Sequence, residues 1–307
     1  MLKYVQKRLL LAIPTILFTS IVVFLMLYLI PGDPASIYVG ENKATPERMA
    51  QIRHAMGLDR PLYVQYGDFV WHALHGDLGR SLQTGRPVTK EILDRLPNTA
   101  ELALAAMVIA VVLGIGLGLV SGLRRGTWLD TLAMMIALFG ISVPIFWLGI
   151  LLILLFAVHF HWFPATSTPG LRGLVLPAIS LALLSAATLG RLVRSSILEV
   201  LQQEYLVTAR AKGLRRAAVV MRHALPNAVI PVLTVIGLQF GSLLSGAVIT
   251  ESVFARPGLG KLVVDSIQNK DFPVVQGVIL VLATVYIVIN LLTDLTYAMV
   301  DPRIRFD

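Results

Sequence analysis

A cluster of basic residues lies in segment 204–231, between two long apolar runs. Its cationic side chains are those of Arg210, Lys212, Arg215, Arg216 and Arg222. Guanidinium and ammonium groups bind carboxylates and phosphates, so the segment has the chemistry to hold an acidic protein surface or anionic lipid. Gly213 interrupts a helical pattern, and Leu225-Pro226 is predicted to stop it. This helix–Gly–helix hairpin indicates a docking site for a soluble partner, and an amphipathic helix lying on anionic lipid is the alternative.

The spacing in this hairpin resembles a cytoplasmic loop of the permease subunits of ATP-binding-cassette importers. In that loop, Glu-Ala-Ala is followed after three residues by Gly, and after nine more by Ile-x-Leu-Pro. Ala209, Gly213 and Leu225-Pro226 hold their positions in the pattern. Val207-Thr208 stand in place of Glu-Ala, and His223 stands in place of the Ile.

The string EYLVTARAKG, which starts at Glu204, is similar to the peptide-type branch of these permeases. The resemblance implies that the hairpin couples the chain to an ATPase, which would itself bind ATP and Mg²⁺. The implied coupling residues are Glu204, Thr208, Ala209, Arg210, Lys212, Gly213, Arg215, His223, Leu225 and Pro226. No catalytic, cofactor-binding or metal-binding residue is expected on this chain.

The composition is that of a membrane protein. Of the 307 residues, 56 % are hydrophobic and 14 % are charged, with a mean hydropathy of +0.76, whereas a soluble domain is roughly 25 % charged. The chain has no Cys, which excludes disulfides and a thiolate nucleophile. It also lacks the Walker, His-Glu-x-x-His and Gly-x-Ser-x-Gly motifs. The chain is therefore predicted not to be an enzyme, and intramembrane hydrolysis is the enzymatic alternative.

Apolar, charge-poor runs predict six transmembrane helices in an all-α membrane protein. The runs are 9–30, 99–123, 132–160, 174–190, 228–250 and 274–300. The first is too long for the apolar core of a cleaved signal peptide, and it ends in turn residues from Pro31, so it is expected to remain as a span. Pro144 and Pro177 are expected to kink the third and fourth spans.

Lys and Arg are distributed unevenly between the two sides of these spans. With the N-terminus inside, the inner segments carry fourteen of them and the short outer loops carry four. The positive-inside rule therefore predicts that both termini and the hairpin are cytoplasmic. The net charge of +8 is explained by this orientation, and no nucleic-acid partner is expected.

The segment between the first two spans, 31–98, is predicted to be external and helical. Thr45 and Pro46 are expected to start one helix, whose apolar stripe would be Met49, Ile52 and Met56. Residues 61–74 are expected to form a second helix. The resemblance to importer permeases implies that this segment faces a substrate-binding protein, and a lid that packs on the outer helix ends is the alternative.

Several longer strings extend the resemblance over nearly the whole chain. They are PGDP from Pro31, GLDRPLYVQY from Gly57, GDLGRS from Gly76 and ESVFARPGLGKLVVDSI from Glu251. All are similar to permeases of the dipeptide, oligopeptide and nickel family, and glutathione permeases are also similar. The chain is identified as a member of that family. The implied cargo is di- or oligopeptides, while glutathione, nickel complexes and opine-like solutes stay open.

The resemblance also implies an architecture and a set of partners. It implies an N-terminal helix (1–30), an external helical segment (31–98), a five-helix type I importer core (99–300) with its coupling hairpin (195–226), and a cytoplasmic tail (301–307). The implied partners are a second homologous permease, two cytosolic ATP-binding-cassette subunits, an external substrate-binding protein and membrane lipid of the bacterial inner membrane. A secondary transporter is the distant alternative.

Two features inside the predicted spans bear on how the helices pack. Small residues recur at every fourth position, at Gly114, Gly118 and Gly122 and at Gly237, Gly241 and Ser245. This spacing lets helix backbones approach closely. Asp294 lies within the last span with Asn290 one turn before it, and it is expected to form a structural hydrogen bond rather than a proton relay.

Overall fold

The computed structural model of the protein describes residues 2–29, 45–55 and 57–300, most of which are helical. Numbered along the chain, the helices are α1 (Leu2–Leu29), α2 (Pro46–Ala55), α3 (Leu62–Leu74), α4 (Val88–Leu123), α5 (Trp128–Ser142), α6 (Ile145–Leu152), α7 (Leu171–Val200), α8 (Glu204–Ala211), α9 (Arg216–Ala218), α10 (Leu225–Val253), α11 (Leu259–Gln268) and α12 (Phe272–Val300). Two π-helical segments follow α6 and α9, at Ile153–His159 and Val219–Ala224. Within these ranges β-structure is limited to one bridge between Arg80 and Pro87, so the predicted all-α class is confirmed.

Some sequence predictions fall on residues that lie outside the described ones. These are the PGDP string from Pro31, the stripe residue Met56 and the tail 301–307. The two predicted helices after the first span are confirmed. α2 begins at Pro46, with the Thr45 carbonyl accepting a hydrogen bond from the Met49 amide, and α3 ends at Leu74.

Five helices in the described ranges are long and apolar enough to cross a bilayer. Their apolar spans are Leu10–Tyr28, Val88–Leu123, Leu171–Val200, Pro231–Val253 and Phe272–Thr293. Two of them are longer than the apolar runs predict, because α4 begins at Val88 rather than 99 and α7 continues past 190 to Val200. In both cases the added turns carry charged residues, which periodicity of apolar residues does not detect.

The predicted third span, 132–160, is a broken pair of helices. The axes of Trp128–Ser142 and Ile145–His159 differ by 109°, much more than a proline kink. Pro144 has no N–H to continue the ladder of α5, and with ψ of 137° it leaves the helical region and starts α6 anew. If the pair is one span, the described helices give the six spans that the sequence predicts. If the pair is a re-entrant element, they give five spans.

The chain divides into two compact units, which differ from the segments that the resemblance implies. The larger unit comprises Asn98–Pro257 and the chain from Val288, and the smaller unit comprises Leu2–Pro97 and Gly258–Ile287. Residues 258–287 therefore group with the N-terminal part of the chain, not with the five-helix core. A contiguous reading of the sequence cannot find such a grouping, because it depends on contacts between distant residues.

The core of the larger unit is built around α7. The span in α7 is 72 % buried, against 33 % or less in each of the other spans. The predicted glycine spacing explains how closely α4 approaches it, since a Cβ at Gly118 would lie 2.6 Å from the carbonyl oxygen of Gly190 and 2.5 Å from the Cβ of Val193. In the second spacing, a Cβ at Gly237 of α10 would collide with the Thr293 side chain of α12. At the first spacing, the backbones of α4 and α7 therefore lie in close contact.

The smaller unit is held together by aromatic contacts and by one buried carboxylate. Phe24 of α1 contacts the rings of Tyr66 and Phe69 of α3, with ring centroids 5.5 and 5.9 Å apart. Asp271 is 3 % exposed, and it accepts hydrogen bonds from the Ser81 hydroxyl and from the Leu82 amide. These bonds fix the loop that contains the end of the GDLGRS string, which starts at Gly76.

Candidate functional site

The basic hairpin begins with a short helix that ends where the sequence predicts. α8 stops at Ala211, and Gly213 follows with φ of +75°. The amides of Lys212 and Gly213 bond back to the carbonyls of Thr208 and Arg210, which satisfies the last turn of the helix. Because residues with a side chain rarely adopt positive φ, Gly213 permits the chain to reverse here. The predicted break at Gly213 is confirmed.

The predicted stop at Leu225-Pro226 is wrong. The chain is helical without interruption from Arg216 to Val253, through α9, the π-helical segment Val219–Ala224 and α10. In an α-helix the ring of Pro226 would crowd the carbonyl four residues earlier, and its nitrogen has no hydrogen to donate. The wider π-helical turn just before it relieves both problems. Pro226 therefore lies in the first turn of α10 and does not end a helix. The hairpin thus has a single turn, at Gly213.

One face of the hairpin is apolar and buried. Leu206 of α8 is fully buried and Ala209 is 8 % exposed, and both pack with Ile197 at the end of α7. Val219 and Ala224 complete this cluster from the other limb. Ala209, the identity in the Glu-Ala-Ala positions, therefore lies in the packing face, where a small side chain lets α8 lie close to its neighbours.

Two polar residues that the sequence analysis did not identify hold the limbs of the hairpin together. The Asn227 side-chain amide donates to the His223 carbonyl at 2.8 Å and to the Tyr205 hydroxyl at 3.1 Å. The Tyr205 hydroxyl also lies 3.4 Å from the same carbonyl. Tyr205 lies in the EYLVTARAKG string and Asn227 directly follows Leu225-Pro226. The motifs therefore point to both residues, but only the fold shows that they pair.

The opposite face of the hairpin is exposed and cationic. Arg210, Lys212 and Arg215 are all exposed, and none of them forms an ion pair with a carboxylate in the described parts of the chain. Glu204 and Thr208 of α8 are exposed on this side as well, while His223 and Leu225 are half-buried and Pro226 is exposed. The structure therefore separates the predicted residues into a buried packing set and an exposed set that is open to a partner.

The sequence analysis also missed an ion pair between a buried carboxylate and a half-buried arginine. Asp130 of α5 accepts bonds from Nε and Nη2 of Arg194 on α7, at 2.9 and 3.0 Å. The same carboxylate accepts from the Ser121 hydroxyl and from the Gly126 amide. Through one side chain, the end of α4, the start of α5 and the arginine-containing end of α7 are fixed to each other. Nothing in the spacing of Asp130 and Arg194 indicates this contact.

The hairpin is also bonded to that cluster directly. Arg216 donates from Nη2 to the carbonyl oxygen of Leu123, the last residue of α4, at 3.4 Å. A displacement of the hairpin would therefore also shift the turn after α4 and, through Ile197, the end of α7. For Asp294, the structure places the backbone within α12, while its side chain lies outside the described residues.

Comparison with protein families accounts for most of the chain. Residues 114–306 match the family described as binding-protein-dependent transport system inner membrane component. Residues 1–103 match the family described as the N-terminal part of such membrane components.

Curated relatives match over the full length. The dipeptide transport system permease protein DppB of Escherichia coli (strain K12) is 42 % identical over 336 residues, covering 99 % of both chains. The di/tripeptide transport system permease protein DppB of Pseudomonas aeruginosa (strain UCBPP-PA14) is 43 % identical over 333 residues, again covering 99 % of both. A putative peptide transport system permease protein of Brucella abortus (strain 2308) is 45 % identical over 311 residues, also covering 99 % of both.

Two solved structures share the fold. A chain of the MetNI methionine ABC transporter in an inward-facing conformation has a TM-score of 0.56 and 17 % identity, covering 68 % of this chain and 96 % of the other. A chain of an amino acid ABC transporter has a TM-score of 0.53 and 20 % identity, covering 70 % and 95 %.

Proposed function

Since the chain belongs to the family of binding-protein-dependent transport system inner membrane components, as its sequence strings predict, we propose that it is the permease subunit of an ATP-driven importer of di- or oligopeptides. The observation that carries the cargo class is the full-length identity of 42–45 % to relatives named for dipeptide, di/tripeptide and peptide transport. In this role the chain forms a transport path and performs no bond chemistry of its own.

The complex would contain three further kinds of subunit. A second, homologous permease would complete the path, two cytosolic ATPases would supply energy, and an external binding protein would deliver the peptide. The exposed cationic face of the hairpin supports the ATPase as its partner. Arg210, Lys212 and Arg215 form no ion pair among the described residues, and such groups favour an acidic protein surface. The buried face, with Leu206 and Ala209, anchors the same hairpin to the helices of the larger unit.

The proposed mechanism is mechanical. When the ATPases close on ATP, they displace α8, and the contacts of Arg216 with Leu123 and of Leu206 with Ile197 pass that displacement to α4 and α7. Asp130 and Arg194 make these two helices move together. Because the α4–α7 contact at Gly118 has no room for sliding side chains, the helices are expected to move as one rigid body that opens and closes the path.

We infer the orientation from charge and extend it to the external segment. The inner segments carry most of the Lys and Arg, so both termini and the hairpin would be cytoplasmic and residues 31–98 would be external. The confirmed helices α2 and α3 give that segment a folded surface on which the binding protein could rest.

Reconstitution in proteoliposomes tests the proposal. Vesicles that contain the chain, its partner permease and both ATPases are expected to take up a labelled dipeptide only when ATP and the binding protein are present. Uptake by the chain alone, driven by an ion gradient, would instead identify a secondary transporter. Cleavage of the peptide by the chain alone would identify an intramembrane hydrolase, and either result would overturn the proposal.

A further inference from the structure

Two adjacent cavities open beside the hairpin in the larger unit, with volumes of about 370 and 510 Å³. Leu123, Arg216 and Val220 line both of them. Arg210 lines the first cavity and Arg124 lines the second. The two cavities therefore form one groove, which we call the arginine groove, at the point where α4 ends and the helix of the second hairpin limb begins.

The groove combines an apolar floor with a cationic rim. Val219 and Val220 are 1 % and 6 % exposed and form its floor together with Leu123, while Leu214 and Met221 are exposed at its edges. The rim arginines come from three different elements: Arg124 from the turn after α4, Arg210 from α8 and Arg216 from α9. A ligand that fits this arrangement carries both an anionic group and an apolar chain.

The rim arginines are not neutralised within the described parts of the protein. Arg124, Arg210 and Arg216 form no ion pair there, whereas Arg194 of α7 holds Asp130 in two hydrogen bonds. The planar guanidinium fork of Arg matches the oxygens of a phosphate. Three such groups with no carboxylate among them favour a phosphate ligand, since their mutual repulsion is relieved when an anion binds.

The rim is held in place by two bonds that use only one guanidinium N–H of its arginines. The Gly126 amide in the turn that carries Arg124 donates to Asp130 at 3.0 Å, and Arg216 keeps one N–H on the Leu123 carbonyl. Both bonds leave the rest of each guanidinium available. The groove is thus shaped before a ligand arrives, which lowers the entropic cost of binding.

The level of the groove in the membrane points to the kind of ligand. The apolar span of α4 ends at Leu123, and Trp128 at the start of α5 has 71 % of its surface exposed. Trp is enriched where lipid headgroups meet the hydrocarbon layer, so the groove lies at that boundary. Basic pockets between helices at the cytoplasmic boundary bind anionic lipid headgroups.

We propose that the arginine groove binds one anionic phospholipid of the cytoplasmic leaflet, with its phosphate on Arg124 and Arg216 and the upper part of one acyl chain on Leu123 and Val220. The choice of leaflet rests on the proposed orientation, whereas the site itself does not. Bound there, the lipid would neutralise the rim and join the turn after α4 to the hairpin, so that coupling would depend on anionic lipid in the membrane.

A titration of the purified importer complex tests this site. The delipidated complex is placed in nanodiscs of phosphatidylcholine with increasing phosphatidylglycerol, and bound phosphatidylglycerol is counted by native mass spectrometry. The test variant is Arg124→Gln/Arg216→Gln. Its matched control is Arg125→Gln/Arg222→Gln, which removes the same charge from exposed neighbours that do not line the groove.

The double variant of the rim is expected to bind phosphatidylglycerol about 30-fold more weakly, from roughly fivefold per arginine near the membrane surface, while the control stays within about twofold of the native complex. Equal weakening in both variants would reduce the effect to general surface charge and overturn the site. Unchanged binding in the rim variant would overturn it as well.

A third result would also contradict the proposal. If the rim variant loses the ATPases while its bound phosphatidylglycerol is unchanged, the groove belongs to the ATPase interface. ATP-dependent uptake measured on the native complex keeps the two proposals separate: a complex that does not import peptide fails the proposed function, whatever lipid it retains.

Discussion

The two ends of the larger unit treat buried and exposed positive charge in opposite ways. At one end, Arg256 is 4 % exposed, and its guanidinium donates to the Asn98 carbonyl at 3.2 Å, to the Ser167 hydroxyl at 3.0 Å and to the Glu101 carboxylate. At the other end, the arginines of the hairpin are exposed and form no ion pair within the described residues. A buried arginine that bonds to three groups of its own chain fixes a structure, whereas exposed arginines are available to a partner outside the chain.

The first end is a closed cluster. The Asn98 side-chain amide donates to the Pro257 carbonyl at 2.8 Å, and the Ser167 amide donates to the Phe254 carbonyl at 2.8 Å. These bonds join the start of the α4 span, the loop before α7 and the end of α10. The string ESVFARPG from Glu251, which contributed to the family resemblance, therefore has a structural role in this unit.

The comparison predicts the largest effect at the single turn of the open end. Gly213→Val places a β-branched residue at φ of +75°, and an added Cβ would have open space there, so the change acts through backbone strain alone. We expect the complex to insert and assemble, while ATP-dependent peptide uptake falls to background because α8 no longer meets the ATPase correctly. Uptake and ATPase rate are measured on the same vesicles.

Gly213→Asn is the matched control, since Asn tolerates positive φ several-fold better than other residues. It is expected to retain most of the uptake. Normal coupled uptake by the Val variant would show that the turn does not transmit force.

Which of these features the sequence predicts depends on how many residues separate the groups that interact. Local rules find Gly213, the helix starts near Pro46 and Leu62, and five of the spans. They fail at Leu225-Pro226, because no local pattern in the sequence indicates the π-helical turn that accommodates the proline. They also fail for Asp130 and Arg194, which are 64 residues apart, and for Arg256 and Asn98, which are 158 apart. Pairs this distant become visible only in the fold.

The closed end predicts a loss of stability rather than of coupling. Arg256→Gln leaves the Ser167 hydroxyl and the Asn98 carbonyl without their charged donor, and we expect a cost of about 2 kcal/mol from these bonds. Thermal unfolding of the purified complex is expected to begin at a lower temperature. The ATPase content should not change.

Arg172→Gln, which removes the same charge from an exposed position at the start of α7, serves as the control and is expected to unfold like the native complex. If Arg256→Gln instead unfolds normally and loses ATPase, the distinction between the two ends does not hold.

A smaller effect is expected at the Asp130–Arg194 ion pair, which combines features of the closed and the open end. Asp130 and Arg194 form a satisfied pair, as at the closed end, but they stand beside the hairpin. A double-mutant cycle with Asp130→Asn and Arg194→Gln is expected to give an interaction of about 1–2 kcal/mol in stability. If the pair also makes α4 and α7 move together, each single variant should transport fewer peptides per ATP hydrolysed.

The ratio of peptide to ATP separates that role from simple packing. Arg191→Gln, exposed on α7 three residues earlier, should leave the ratio unchanged. If the pair only stabilises the fold, its loss would lower the unfolding temperature without lowering the ratio. That result would exclude a role of the pair in moving α4 and α7 together.

The smallest effect is expected for one charge on the open face, because exposed ion pairs contribute at most about 1 kcal/mol each. Arg210→Glu reverses the charge at the end of α8, and if Arg210 meets an acidic ATPase surface, the affinity for the ATPase should fall about three- to fivefold at low salt, consistent with that energy. Screening should shrink the difference as salt is raised. Arg125→Glu makes the same reversal outside the hairpin and should have no effect on this affinity. The affinity for the ATPase is measured by a binding titration in neutral detergent, where no anionic lipid is present and only the protein contact contributes. If the Arg210→Glu variant binds the ATPase as tightly as the Arg125→Glu variant at every salt concentration, Arg210 is assigned to the membrane surface.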